Sequence, residues 1–224
     1  MHEDNDKKKK FSLFNQLSKS LGFEQEEQTT TEQTSNVIDF IEEKEKNKAQ
    51  EGIKWLKAAA DLGDTGAMNE LAYSFLTGTG LPPNIVEGEY WLRQSAKLGN
   101  LWAMVDLAIR LLDGEILGKN SAEGEKWLRL AVDRRDSVAT RILGYRLIHG
   151  DSLGQNIEEG VNWLRLAAEE LNELVAMRLL GIYLIKGEHM EQHVEDGEYW
   201  LKRAAEAGEK VAMREWGKYL VRGL

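Results

Sequence analysis

The chain has no cysteine, which excludes a disulfide framework, a thiolate zinc site and a cysteine nucleophile. Proline is almost absent: its two copies are the adjacent Pro82 and Pro83. No stretch approaches the roughly 20 apolar residues that a bilayer-crossing helix needs. A secretory leader is not expected either. Lys7 to Lys10 offer a charged start, but Ser12, Asn15, Gln16, Ser18 and Lys19 interrupt what should be an apolar stretch. Positive charge is in deficit, with a net charge of -9 over 224 residues. Such a chain lacks the field that phosphate backbones reward, so nucleic acid is not the expected partner. These absences together set the expectation of a cytoplasmic protein whose mature form begins near Met1.

Residues 1–35 differ from the rest. They open with a mixed-charge cluster and end in a Glu/Gln/Thr tract, Glu24 to Thr34, that has nothing to bury and is expected to be a flexible linker. Phe11, Phe14, Leu17 and Leu21 recur with the period of one helix face, directly after Lys7 to Lys10. The segment 7–21 therefore reads either as an amphipathic helix that docks on an acidic membrane surface or in a partner's groove, or as a disordered tail. From Val37 an apolar face begins, with Ser35 or Asn36 as N-cap. This is a helix that caps the front of a repeat array, or an extension of the array's first helix.

The remainder, 36–224, is repetitive. A Trp-Leu pair recurs at Trp55-Leu56, Trp91-Leu92, Trp127-Leu128, Trp163-Leu164 and Trp200-Leu201, with a glycine three residues before each Trp. An alanine follows at Ala67, Ala103, Ala139, Ala176 and Ala212, displaced by one residue in the fourth unit. Each unit closes on a glycine: Gly78, Gly114, Gly150, Gly187 and Gly223. The units read as pairs of helices. The first carries Trp-Leu. The second runs from just before the alanine to the closing glycine. The turn between them holds Gly63-Asp64 or Gly99-Asn100, suited to a left-handed C-cap and the next N-cap. Five residues after the alanine the side chain is small again, at Ala72, Ala108, Gly144, Gly181 and Gly217, allowing helix backbones to approach. One pair cannot bury its own apolar face, whereas a stack of them can.

This order of residues resembles the Sel1-like repeats, relatives of the tetratricopeptide repeat, over residues 48 to 223. The resemblance implies an all-α, right-handed α-solenoid of five helix–turn–helix repeats, approximately 48–83, 84–119, 120–155, 156–192 and 193–224. It implies a scaffold or adaptor that binds a protein, in bacterial signalling, assembly or immunity-type regulation. The chain departs from the pattern at Asp133 to Asp136 and at Glu169 to Leu174, where distorted turns are expected.

Positions constant between units should serve packing, and variable ones specificity. The five Trp, and Met68, Met104, Met177 and Met213, are expected in the core. Two charge ladders are constant: an acid four residues before each Trp (Glu51, Glu87, Glu123, Glu159, Asp196) and a base two after it (Lys57, Arg93, Arg129, Arg165, Lys202). They form ion pairs, or the bases line a groove for an acidic partner. The variable positions flank each Trp: Lys54, Tyr90, Lys126, Asn162 and Tyr199 before it; Gln94, Leu130, Leu166 and Arg203 three after. In tetratricopeptide-like arrays the first helices line the concave face, so the resemblance assigns these nine residues to the partner-binding surface, with Tyr90, Tyr199, Leu130 and Leu166 as anchors.

Catalytic signals are weak. His189 and His193 share a helical spacing but flank a predicted loop, and no motif or phosphate loop accompanies them. No nucleophile, base and oxyanion donor assemble, so no catalytic residue, metal or cofactor is expected. Glu215 and Lys218 give the last helix some end polarity. Without enough of it, Trp216 and Leu220 would support a weak homodimer; otherwise the chain is a monomer.

Overall fold

A computed structural model describes residues 29–222. The segment 7–21, His2 and Gly223 lie outside the described residues. Ten α-helices are described, and no strand among these residues. The first, α1 (Thr29–Asp61), is continuous through Val37, so the apolar face there belongs to an extension of the first repeat helix and has no break at Ser35 or Asn36. It starts within the tract assigned to the linker. Phe40 and Ile41 on it are exposed.

From Gly52 onward the chain forms its own compact unit. Helices α3 (Ile85–Lys97), α5 (Ser121–Asp133), α7 (Ile157–Glu169) and α9 (Val194–Glu206) carry Trp-Leu, as α1 does. Helices α2 (Thr65–Thr77), α4 (Leu101–Asp113), α6 (Ser137–His149), α8 (Leu174–Lys186) and α10 (Lys210–Arg222) carry the recurring alanine. The recurring alanine is buried in every unit, and its backbone N–H is held by the cap. Asp64, Asn100, Asp136 and Glu173 accept from the N–H of Ala67, Ala103, Ala139 and Ala176, which satisfies an orphan donor of the first turn. The closing glycines Gly78, Gly114, Gly150 and Gly187 end these helices in the left-handed conformation, at φ between 69° and 75°.

Helices α3, α5 and α7 are capped by Asn84, Asn120 and Asn156, whose side-chain oxygens accept from the N–H of Glu87, Glu123 and Glu159. The same asparagines donate back to those carboxylates, at 3.4, 3.3 and 3.0 Å. In α9 the cap position is His193, which makes no side-chain cap bond. Installing asparagine there restores the missing acceptor. His193→Asn should stabilise the protein by about 1 kcal/mol and raise Tm by about 3 °C, measurable by circular dichroism.

The two expected distortions divide. The turn at Asp133 to Asp136 is regular. Arg134, Arg135 and Asp136 repeat the backbone bonds that Leu62, Gly63 and Asp64 make in the first unit. Arg135 takes the left-handed place of the missing glycine, at φ 61°. The turn at Glu169 to Leu174 does differ. Glu170 and Leu171 both donate to Leu166, and Asn172 sits at φ 54°.

The closest helix pairs are not those joined by these short turns. Each alanine-bearing helix meets the Trp-bearing helix that follows it across the longer loop. An added Cβ on Gly160 of α7 would lie 2.7 Å from the Gly144 carbonyl and 2.8 Å from the Ile148 nitrogen of α6. Gly197 and Gly181 repeat this between α9 and α8. The loops are pinned as well. Asn84, Asn120, Asn156 and His193 donate backbone N–H to Phe75, Leu111, Leu147 and Leu184 of the preceding helix, at 2.8 to 2.9 Å. Leu71, Leu92, Leu107, Leu128, Leu143, Leu164, Leu180 and Leu201 fill the interior that results, all fully buried.

Candidate functional site

The Trp-bearing helices lie side by side, tied by the two charge ladders. The base of each unit pairs with the acid of the next: Lys57 with Glu87, Arg93 with Glu123, and Arg129 with Glu159 at 2.9 Å. A second acid within the helix braces each arginine. Glu89 Oε1 lies 2.7 Å from Arg93 Nε, and Glu125 Oε1 lies 2.8 Å from Arg129 Nε. The indoles join in, for Trp127 and Trp163 donate Nε1–H to Glu123 and Glu159, each at 3.2 Å. The Arg93 hydrogen bond holds the Glu123 carboxyl below the usual range. The Trp163 and then the Arg129 hydrogen bonds do so for Glu159. The ladder stops at the fourth unit, where among the described residues Arg165 reaches only Glu169 of its own helix, at 3.9 Å. The fifth unit has the shorter Asp196 and comes after the inserted residue. The ion-pair reading thus holds for the first three bases, whose charge is spent internally. Such half-exposed pairs contribute about 0.2–1 kcal/mol each and fix the spacing of neighbouring helices.

The indoles are not uniformly core residues. Trp91 is 8 % exposed, Trp127, Trp163 and Trp200 are half-buried, and Trp55 is 69 % exposed. Among the methionines, Met68, Met104 and Met177 are buried, whereas Met213 is 50 % exposed.

The nine residues assigned to a binding surface lie one helical turn apart in rungs, such as Tyr90 with Gln94 and Tyr199 with Arg203. Tyr90 and Tyr199 are 52 % and 55 % exposed. Each stands edge-on against the adjacent indole, with centroids 5.1 and 5.0 Å apart. Arg203 donates to Tyr199 Oη at 3.2 Å and to Asn172 Oδ1 at 2.8 Å, and lies over the Trp200 ring. Lys54, Lys126, Asn162 and Leu130 are exposed, and Gln94 and Leu166 are half-buried. The structure brings Lys126 and Leu130 together, with Ala122, Glu125, Arg129 and Asp133, around an open depression of about 430 Å³.

The alanine-bearing helices carry features that the repeat pattern concealed. Trp102 replaces the Gly or Val of other units. With Tyr73, Asn69, Glu70 and Gly66 it lines a depression of about 380 Å³. His149 stacks on Tyr145 with centroids 4.1 Å apart and meets His189 and Tyr183 edgewise or tilted. Burial pushes the Tyr183 hydroxyl up to about 12. His189 and His193 do not converge: His193 Nδ1 lies 3.1 Å from Asp196, while His189 joins the aromatic cluster. No group of three His, Cys, Asp or Glu side chains is arranged to hold a metal among the described residues. No described helix is long and apolar enough to cross a membrane.

Helix pairs that repeat along the chain, each helix packed on the next around buried leucines and alanines, define an all-α solenoid repeat protein. The Sel1 repeat matches residues 44–64, 65–100, 103–136, 137–170 and 174–209, and the chain belongs to the Sel1 repeat family. The matched frame runs from an alanine-bearing helix to the following Trp-bearing helix, the pairs that pack most closely here. None of the curated proteins matches. Among solved structures, the chain is similar to a protective antigen present in uropathogenic Escherichia coli strains that displays an SLR fold (26 % identity, TM-score 0.68, 77 % of this chain covered). It is also similar in fold to a Sel1 repeat protein from Oxalobacter formigenes (24 % identity, TM-score 0.66, 75 % covered). The chain spans 37 % of the first protein and 66 % of the second.

Proposed function

We propose that the chain is a protein-binding scaffold or adaptor that holds its partner on the face of its Trp-bearing helices. Sel1 repeat proteins generally mediate protein–protein interaction. The observation that carries this reading is the exposure of Tyr90 and Tyr199. They are large aromatics more than half open to solvent and backed by indoles, and the ladder ties the helix of Tyr90 to both of its Trp-bearing neighbours. Aromatic side chains of this kind supply contact area at low entropic cost, and they dominate binding hot spots. Leu130 and Leu166 add apolar area between them, and the exposed Lys54 and Lys126 add positive charge. Because the first three bases of the ladder are already paired with the acid of the next unit, recognition on those units rests on the variable rungs.

The test compares the wild type with Tyr90→Ala/Tyr199→Ala as baits in native lysate, followed by titration of the retained protein. Truncating two hot spots should weaken capture at least tenfold, with Tm unchanged because neither ring is buried. Equal affinity for both baits would remove this face from the binding function, and a lowered Tm would make the tyrosines part of the scaffold.

A further inference from the structure

Among the described residues the repeat leaves two surfaces unmatched, one on the first Trp-bearing helix and one on the last alanine-bearing helix. In α10, Gly217 stands at the register of Gly144 and Gly181, and Val221 at that of Ile148 and Ile185. Leu220 and Met213 stand at the registers of Leu184 and Met177. In the inner units the side chains at these positions are buried, and Gly144, Ile148, Gly181 and Ile185 face the following Trp-bearing helix. In α10, nothing among the described residues comes within 4 Å of a Cβ added to Gly217, and Leu220 and Val221 are 65 % and 79 % exposed.

The complementary vacancy is on α1. Gly52 is at the register of Gly160 and Gly197, and it too has nothing within 4 Å. Trp55 is exposed where Trp91 is buried, and Leu56 is half-buried where Leu92, Leu128, Leu164 and Leu201 are fully buried. Each surface has the residues that its counterparts use to pair inside the chain.

We propose that a second copy of the chain fills both vacancies head to tail: Gly52, Trp55 and Leu56 of α1 in one copy pack on Gly217, Val221 and Leu220 of α10 in another. The charge register agrees. Lys202 is the base of the fifth unit and Glu51 the acid of the first. Among the described residues Lys202 reaches only Glu206 of its own helix, at 3.7 Å, so Lys202 and Glu51 would extend the ladder from copy to copy. The contact joins two different surfaces, so it propagates into open chains of subunits unless the rotation closes. It reuses a packing mode made four times within the chain, but lacks the covalent loop, so association depends on concentration.

Sedimentation velocity of the full-length chain across a wide concentration range tests this. The wild type should grow in mass with concentration beyond a dimer. Gly52→Glu and Gly217→Glu each place a charge in open space, so both should melt like folded protein, and each alone should stay monomeric. Mixed together, the two variants should form a one-to-one dimer and nothing larger, since one intact α10 and one intact α1 remain. Lys202→Glu should weaken association, and Lys202→Glu with Glu51→Lys should restore it. A wild type that stays monomeric overturns the proposal. So does a Gly52→Glu chain that associates as the wild type does, which would mean symmetric pairing of α10. A mixture that remains monomeric overturns it equally.

Discussion

Gly160→Val should be among the most damaging single substitutions in the chain, destabilising it by about 3–5 kcal/mol. A Cβ at Gly160 meets backbone as well as a side chain: the Gly144 carbonyl and Ile148 Cγ1, each at 2.7 Å, and the Ile148 nitrogen at 2.8 Å. The opposing position is equally closed. A Cβ on Gly144 would lie 2.8 Å from the Gly160 carbonyl and 2.9 Å from the Leu164 nitrogen. Neither helix can yield without moving the other, and α6 and α7 also bury Leu143 and Leu164 around this crossing. Two β-branched methyl groups force the axes apart over the whole pair and break the fit on both sides. The control is Gly217→Ala, at the register of Gly144 but in open space. There alanine has only its better helix propensity to contribute, a gain of about 1 kcal/mol. Thermal melts of both variants should move in opposite directions, with Gly160→Val lower by roughly 10 °C. A Gly160→Val melt within a degree or two of wild type would mean that these helices are not packed as closely as described.

That contrast marks where the repeat pattern was informative. The identity of the helices was legible, because caps and closing glycines act locally. Asp64, Asn100 and Asp136 bond the alanine three residues on, and Gly78, Gly114 and Gly150 take the left-handed conformation that glycine favours. Which helices pair most closely was not legible. The small residues at Ala72, Ala108, Gly144 and Gly181 say that a backbone comes near, but not which one. The short turn suggests the wrong neighbour, and only geometry shows that the glycine before the next Trp is the counterpart. The third turn misled for a related reason. A missing glycine implies distortion, whereas Arg135 enters the left-handed region and keeps every backbone bond. The indoles were over-assigned to the core because a constant residue serves two ends at once. Trp127 and Trp163 fill space and also hold Glu123 and Glu159 by their N–H groups, which keeps an edge near solvent. For the candidate face, the exposure of Tyr90 and Tyr199 was implied by the variable register. The internal neutralisation of Arg93 and Arg129 by two acids each required distances.

Leu164→Ala should cost about 2–5 kcal/mol, whereas Leu56→Ala, the same substitution at the same register, should cost about 1 kcal/mol or less. Leu164 is fully buried between α6 and α8, while Leu56 is half-buried because no alanine-bearing helix precedes α1 among the described residues. The difference measures the covering helix and not the leucine. In a stack whose units touch only their neighbours, stability is a sum of unit and interface contributions. A cavity at Leu164 weakens contacts on both sides and leaves distant units bonded as before. Hydrogen exchange should therefore show protection falling first in α6, α7 and α8, with α2 and α3 nearly unchanged, and the melt broadening as the array loses its single cooperative transition. Leu56→Ala should lower protection only in α1 and α2 and leave the melt sharp. Equal losses for the two variants would mean that burial by the neighbouring helix contributes little. Uniform loss of protection at Leu164→Ala would mean that the repeats unfold as one block.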